Sequence, residues 1–404
     1  MKFKWLIVVC CLASVAAGSA QQESSDKPRG ANTVSGHVYC GDTNAPARMA
    51  TVVLEPAGIV ESIIPGEEQH AVFSGEAVET LLDGSFVMQH VAPGTYYVIA
   101  SQAGYVFPLA PLYVHGNAAS SSEDNSPKNI LKSVPRISVG ANLPVTVNVT
   151  IDRGAVVSGT VLYDDGSPAS GIRLSMLIYR KGQWISPPSN PIGRTSFYGQ
   201  SDDEGHYRIS GLPGGDYMLE ATLHISKTVY RVDDHGGTSV SMNDVYSLST
   251  YSGGSTRRKD GTPFSVKTGE ERSGEDIEIP LTKLHIVRGY IVSAHDGHLL
   301  NGGKLSLLSS DDKSVIGQTS LAKDDDAFTF SFVPEGDYIL HVEDASDNEY
   351  RDVPNTSGSW PPTQTETRTI RRYGTADQPI RVASELSGVT VAVPDLPQGS
   401  NTAP

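Results

Sequence analysis

Residues 211–221 read GLPGGDYMLEA. Pro213, Gly214 and Gly215 make a turn, and Tyr217, Leu219 and Ala221 then share one face of an alternating run. Period-two alternation after turn residues marks a half-buried β-strand. The phrase is written twice more, as HVAPGTYYVIA from His90 and as FVPEGDYILHV from Phe332. The turn glycines Gly94, Gly215 and Gly336 are spaced by 121 residues each time, and Tyr96, Tyr217 and Tyr338 stand two residues after them. A fixed period of this length points to a tandem array of small domains.

The flanking segments keep the same phase. LLDGSFVMQHV, SDDEGHYRISGL and KDDDAFTFSFV each lead from an acidic turn into a strand. VSGHVYC, VSGTVLY and VRGYIVS open the three units, with early glycines at Gly36, Gly159 and Gly289. Each unit closes on a polar turn and an alternating strand. In VTVNVTI, Val145, Val147, Val149 and Ile151 fall on one face. No stretch after residue 20 shows the 3.6 period of a helix. Each unit offers about seven strands in roughly 120 residues, the size of a β-sandwich with a core of its own. In the repeated corner, proline fixes φ and glycine supplies a positive φ. The tyrosine ring fills the sandwich edge while its hydroxyl bonds nearby backbone, so these positions read as structural.

The start of the chain stands apart. Lys2 and Lys4 precede WLIVVCCLASVAA, and GSA precedes Gln21. This is the pattern of a signal peptide over residues 1–20. The apolar run is short of the roughly 20 residues a spanning helix needs. No later stretch is apolar enough for one, so no membrane span is expected in the mature chain. Removing the signal takes Cys10 and Cys11 with it and leaves Cys40. That excludes an intramolecular disulfide and a cysteine-built zinc site. Residues 21–33 read as a disordered lead, 398–404 as a disordered tail, and the Ser-rich stretch 115–129 as a flexible loop. The net charge of −15 argues against sequence-independent nucleic-acid binding and against an electrostatic anchor on anionic lipid.

The second unit carries a family likeness. SGTVLYDDGSPASGIRLSM followed by SDDEGHYRISGLPGGDYMLEA resembles the carboxypeptidase regulatory-like domain, through Gly166, Pro168, Gly171, Gly205, Tyr207, Pro213, Gly215 and Tyr217. The first and third units match more loosely. Asp326 stands where the others have Gly84 and Gly205. The resemblance implies an all-β chain of three tandem transthyretin-like or immunoglobulin-like β-sandwiches, a carbohydrate-binding-like fold, over 34–151, 152–284 and 285–397. It also implies a non-catalytic module of a secreted bacterial protein. The related collagen-adhesin repeats crosslink through a lysine of the first strand, and the three opening strands here contain none.

Candidate chemistry is sparse. DDEG (Asp202–Gly205) and KDDDA (Lys323–Ala327) lack the spaced acids of a calcium loop and read as hairpin turns. Asp233, Asp234 and His235 lie near His206 and His224 in sequence, but 11 scattered histidines make chance proximity the simpler account. No G-x-S-x-G elbow is present. No catalytic, cofactor or metal site is therefore expected, and the chain reads as a non-enzyme. Trp184 in RKGQWISPPSNP and Trp360 in TSGSWPPTQT are expected in Pro- and Ser-rich loops and are the candidate ligand contacts. The alternative is that each ring covers its own sandwich edge. The expected function is a secreted cell-envelope module, periplasmic or extracellular, that binds polysaccharide or another envelope protein. A structural spacer, or an accessory subunit of an envelope enzyme or transporter, is the alternative. An open row of units leaves binding or spacing, and a compact cleft between them reopens catalysis.

Overall fold

The computed structural model describes residues 32–62, 77–115, 127–141, 143–187, 197–232, 238–321, 327–354 and 363–396. The segment read as a signal peptide, most of the expected lead, the stretch read as a tail, Trp360, Asp233–His235 and Asp326 lie outside them.

The fold is all-β, in three sandwiches. The first is built from β1 (Asn32–Cys40), β2 (Thr51–Pro56), β3 (Ala77–Glu79), β4 (Ser85–Val91), β5 (Gly94–Ser101), β6 (Arg136–Val139), β7 (Val145–Thr146) and β8 (Val149–Ile151). Its helices are α1 (Ala57–Glu61), α2 (Ala110–His115) and α3 (Pro127–Ser133). The second has β9 (Ala155–Tyr163), β10 (Arg173–Arg180), β11 (Gln183–Ile185), β12 (Tyr198–Gln200), β13 (His206–Leu212), β14 (Gly215–Val232), β15 (Thr238–Tyr251), β16 (Phe264–Val266), β17 (Glu271–Ser273) and β18 (Ile277–Ile279). The third has β19 (Leu284–Ser293), β20 (Gly302–Ser309), β21 (Val315–Leu321), β22 (Phe328–Pro334), β23 (Gly336–Pro354), β24 (Thr363–Arg372), β25 (Ala376–Val382) and β26 (Leu386–Val393).

Each sandwich repeats one wiring. The opening strand pairs antiparallel with the strand before the corner and parallel with the closing strand. The early glycine follows from that crossing. A side-chain carbon would lie 1.6 Å from the Val147 carbonyl oxygen at Gly36, 2.5 Å from that of Glu275 at Gly159, and 2.0 Å from that of Val389 at Gly289.

The repeated corner closes as a tyrosine corner in all three copies. The Tyr96, Tyr217 and Tyr338 hydroxyls donate to the carbonyls of Ala92, Pro213 and Pro334 at 3.0, 2.7 and 2.9 Å. The glycines play a different part from the expected one. Gly94, Gly215 and Gly336 are not in the left-handed region; that conformation falls four residues earlier, at His90 (φ 63°), Gly211 (φ 85°) and Phe332 (φ 60°). Each of these sits at a register slip in the pairing with the opening strand, a bulge that bends the chain into the corner. The turn glycines instead leave room for the tyrosine. A side-chain carbon at Gly94 or Gly336 would meet the ring of Tyr96 at 3.2 Å or of Tyr338 at 3.3 Å.

The sandwiches do not keep wholly separate cores. Phe107, Leu109 and Leu112 around α2 are buried in one continuous cluster with Leu174, Tyr217 and Leu219 of the second sandwich. Arg180 is buried at this seam and donates to the Leu112 carbonyl at 2.9 Å; burial pulls its pKa down. Tyr246, from the second sandwich's hairpin, is likewise buried in the third core. The three helices are the main departure from the sequence reading. At 5, 6 and 7 residues they are too short to display a 3.6 period. Two further expectations need correction. Asn32 and Thr33, expected in the disordered lead, open β1, with Asn32 buried and its amide donating to the Val91 carbonyl at 3.0 Å. His115 ends α2 and Pro127–Asn129 begin α3, so both ends of the expected loop are helical.

Candidate functional site

The large sheets of the second and third sandwiches join. Val245 pairs with Gln318 and Tyr246 with Gly317, antiparallel, which makes one 11-stranded sheet. Tyr246 fixes the seam. It is buried, its hydroxyl donates to the Thr329 carbonyl at 3.1 Å, and its ring meets Phe332 edge-on at 6.1 Å. Gly317 lies under the ring, where a side-chain carbon would come within 3.0 Å.

A cleft of about 460 Å³ opens at this junction. Ser247, Ser249 and Tyr251 of β15 line one side of it and residues 309–316 and 336–338 of the third sandwich the other, beside the outer face of the β10–β14–β15 sheet. Tyr217, Leu219 and Ala221 face the core, so Met218 and Glu220 face the other way, and both are nonetheless buried. The loop after β15 covers them. It carries Arg257, Arg258 and Lys259, with a 3-10 turn at Arg258–Asp260.

Three cations here meet acids from both sandwiches. Arg257 donates to Asp311 through Nε at 2.9 Å and through a terminal nitrogen at 2.7 Å, and Lys259 donates to its other oxygen at 2.7 Å. Arg258 lies 3.2 Å from Asp312 and 3.6 Å from Glu220, over the Tyr251 ring at 5.8 Å. The Tyr251 hydroxyl donates to Glu220 at 2.9 Å. Burial works to raise the Asp311 pKa, but the bonds from Lys259 and Arg257 prevail and hold it below the ordinary carboxylate value. Burial works against the Arg258 charge, yet Tyr251 and Glu220 keep its pKa above normal. Burial, then Glu220, pushes the Tyr251 phenol up. Every acid named here is committed to a cation.

Trp184 stands at the rim of this cleft. It is half-buried against Leu177, Met218 and Tyr251, and its ring lies 5.2 Å from that of exposed Tyr179, tilted by 58°. It is on β11, opposite Tyr179, and not in the expected loop. Lys181 (φ 47°) and Gly182 (φ 84°) supply the tight two-residue turn that makes the hairpin. The cationic trio was missed from sequence, although three consecutive cations in an acidic chain are a visible signal. Asp311 and Asp312 lie 52 to 54 residues on and Glu220 lies well before the trio, so spacing could not pair them.

Other polar groups stay local. Asp202 accepts from the backbone of Glu204 and His206 at 3.0 and 2.8 Å, as a hairpin turn requires. His224 meets Ser247 at 3.0 Å. His298 joins Asp296 at 2.6 Å and Asp347 at 3.1 Å, with Tyr373 donating to Asp347 at 2.7 Å; this ties a turn of the third sandwich to the base of its hairpin. Among the described residues no group of three or more His, Cys, Asp or Glu is placed to hold a metal ion, and no helix is long and apolar enough to cross a membrane. Cys40 is buried and free.

No protein-family model matches the chain, and no curated protein does. Among solved structures it is similar to the Bacillus anthracis TIE protein, at 13% identity and a TM-score of 0.19, over 89% of this chain and 50% of that one. It is similar to a streptococcal ancillary pilin at 13% identity and a TM-score of 0.28, over 91% of this chain and 100% of that one. A minor pilin of Streptococcus agalactiae matches at 11% identity and a TM-score of 0.28, over 62% and 100%. The chain spans half the length of the first of these. At these scores the likeness assigns no function, and the resemblance to carboxypeptidase regulatory-like domains rests on the motifs quoted above.

Proposed function

We propose that the protein is a secreted, non-enzymatic binding module of the cell envelope, and that its ligand site is the cleft between the second and third sandwiches. The observation that carries this is Trp184 beside Tyr179 at the mouth of a cleft whose interior is charged and hydrogen-bonding. An aromatic platform next to fixed carboxylates and guanidiniums suits a saccharide. The ring stacks on the apolar face of a sugar, and the polar groups bond its hydroxyls. The same cleft is a poor active site, because Asp311, Asp312 and Glu220 are already neutralised by Arg257, Arg258 and Lys259. A general acid or base needs a proton it can give or take near working pH.

Binding to an array of envelope polysaccharides tests this reading. Retention is expected for the native chain and a loss of roughly 5- to 150-fold for Trp184→Ala, the range reached when a stacked aromatic contact is worth about 1–3 kcal/mol. Retention unchanged in Trp184→Ala would move the ligand elsewhere. No retention on any saccharide would leave the spacer reading, which the unbroken sheet across the junction favours.

A further inference from the structure

The second and third sandwiches each carry a long hairpin at the same place in the repeat, β14–β15 and β23–β24. The first is used within the chain, since β15 pairs with β21 of the next sandwich. The second has no such neighbour among the described residues. There β24 ends the 11-stranded sheet, and Glu366 through Arg372 are exposed on both of its faces. An open strand edge is a row of backbone donors and acceptors ready to pair with another strand.

We propose that β24 is the docking edge for a second copy of this chain, paired antiparallel about a two-fold axis at Thr367. The argument is self-complementarity. Residues 365–369 read Thr-Glu-Thr-Arg-Thr. Turned back on itself about Thr367, this stretch sets Glu366 opposite Arg368 of the second copy, and Arg368 opposite Glu366 of the second copy. Opposite charges directly across a strand pair stabilise it, and like charges there oppose it. Moving the axis to either neighbouring residue sets Glu366 against its own copy, or Arg368 against its own copy. Of these three registers, only the one centred on Thr367 sets opposite charges across the pair. The regular part of the edge ends just beyond. Pairing with β23 steps from Asn348↔Thr369 to Asp347↔Arg371, which leaves Ile370 as the extra residue of a bulge. Arg371 is drawn off to Asp395 at 2.7 Å, whereas Arg368 meets Glu349 of β23 only at 3.8 Å with both side chains largely exposed and stays open to a second strand. The contact is isologous, the form that closes at two copies and does not run on into a fibre. It extends across a two-fold axis the edge pairing already built between the second and third sandwiches.

Sedimentation velocity of the full chain over a concentration series tests this. The native chain is expected to shift from monomer to dimer as concentration rises. Glu366→Arg makes the 365–369 stretch all basic and Arg368→Glu makes it all acidic; each alone is expected to lose the shift. An equimolar mixture of the two variants is expected to regain it, because a basic edge then faces an acidic one. The double variant Glu366→Arg/Arg368→Glu is expected to dimerise by itself. Restoration separates lost pairing from lost folding. A native chain that stays monomeric throughout overturns the proposal, as do single variants that still dimerise or a mixture that fails to.

Discussion

Between its fifth and sixth strands the first sandwich carries α2 and α3, whereas at the same place the second carries the outer part of the β14–β15 hairpin. The α2 segment, with Leu109 just before it and Leu112 within it, buries these leucines in the neighbour's core and merges two cores into one. The hairpin offers a backbone edge, continues the sheet and leaves a charged cleft on its flank. One sandwich design therefore makes two kinds of joint, and what fills a single connection decides which. The apolar joint is held by burial and the other by strand pairing with an ion network, so they should fail under different insults.

The largest effect is expected from Leu112→Ala, which empties a fully buried position in the merged core. Such truncations cost about 2–5 kcal/mol. Urea unfolding followed by circular dichroism should show the transition of the first two sandwiches moving together while the third stays. A change confined to the first would break the idea of a common core. A smaller effect, about 1–3 kcal/mol as for overpacking, is expected from Gly215→Ala. The added carbon would lie 2.6 Å from Val114 of α2, whereas at Gly336 its nearest neighbours would be atoms of the sandwich's own Tyr338, at 3.3 Å. Gly215→Ala should therefore lower the thermal midpoint more than Gly336→Ala; equal effects would remove the contact across the joint from the account.

The smallest effect is expected at the polar joint. Asp311→Asn leaves Arg257 and Lys259 without their shared acid, and half-exposed pairs of this kind contribute about 1 kcal/mol or less. Hydrogen exchange should rise over 252–263 and around β21 and stay flat around α2. Acid should act alike. The Asp311 pKa is lowered in the fold, so its contribution is complete above the ordinary carboxylate value and is lost as pH falls through the depressed one. Exchange at this joint that ignores both the variant and acid would mean the strand pairing alone holds it.

The architecture was legible because alternation and a 121-residue period are written along the chain itself. The tyrosine hydroxyl bond was legible too, since Tyr217 reaches back only four residues, to Pro213. What escaped was either short or distant. Helices of one to two turns carry no period, and the left-handed bulge falls on a histidine and a phenylalanine as well as a glycine, so composition does not flag it. Trp184 could be named from its surroundings, but the cations beside it take their meaning from Asp311 and Asp312, which only the fold brings near. GLPGG has glycines beyond the needs of its corner because Gly211 and Gly215 also make room for Tyr105 and Val114 of the first sandwich.

The parallel pairing of opening and closing strands, Cys40 with Ile151, Tyr163 with Ile279 and Ser293 with Val393, also sets an order in time. Contacts so far apart in sequence form slowly, since a long loop must close first. A chain emerging from its N-terminus cannot lock any sandwich until that sandwich's final strand is out. Until then the opening strand waits with one side bare. Each closing strand thus acts as a checkpoint, and a truncation just short of one should cost the whole sandwich, not merely its edge.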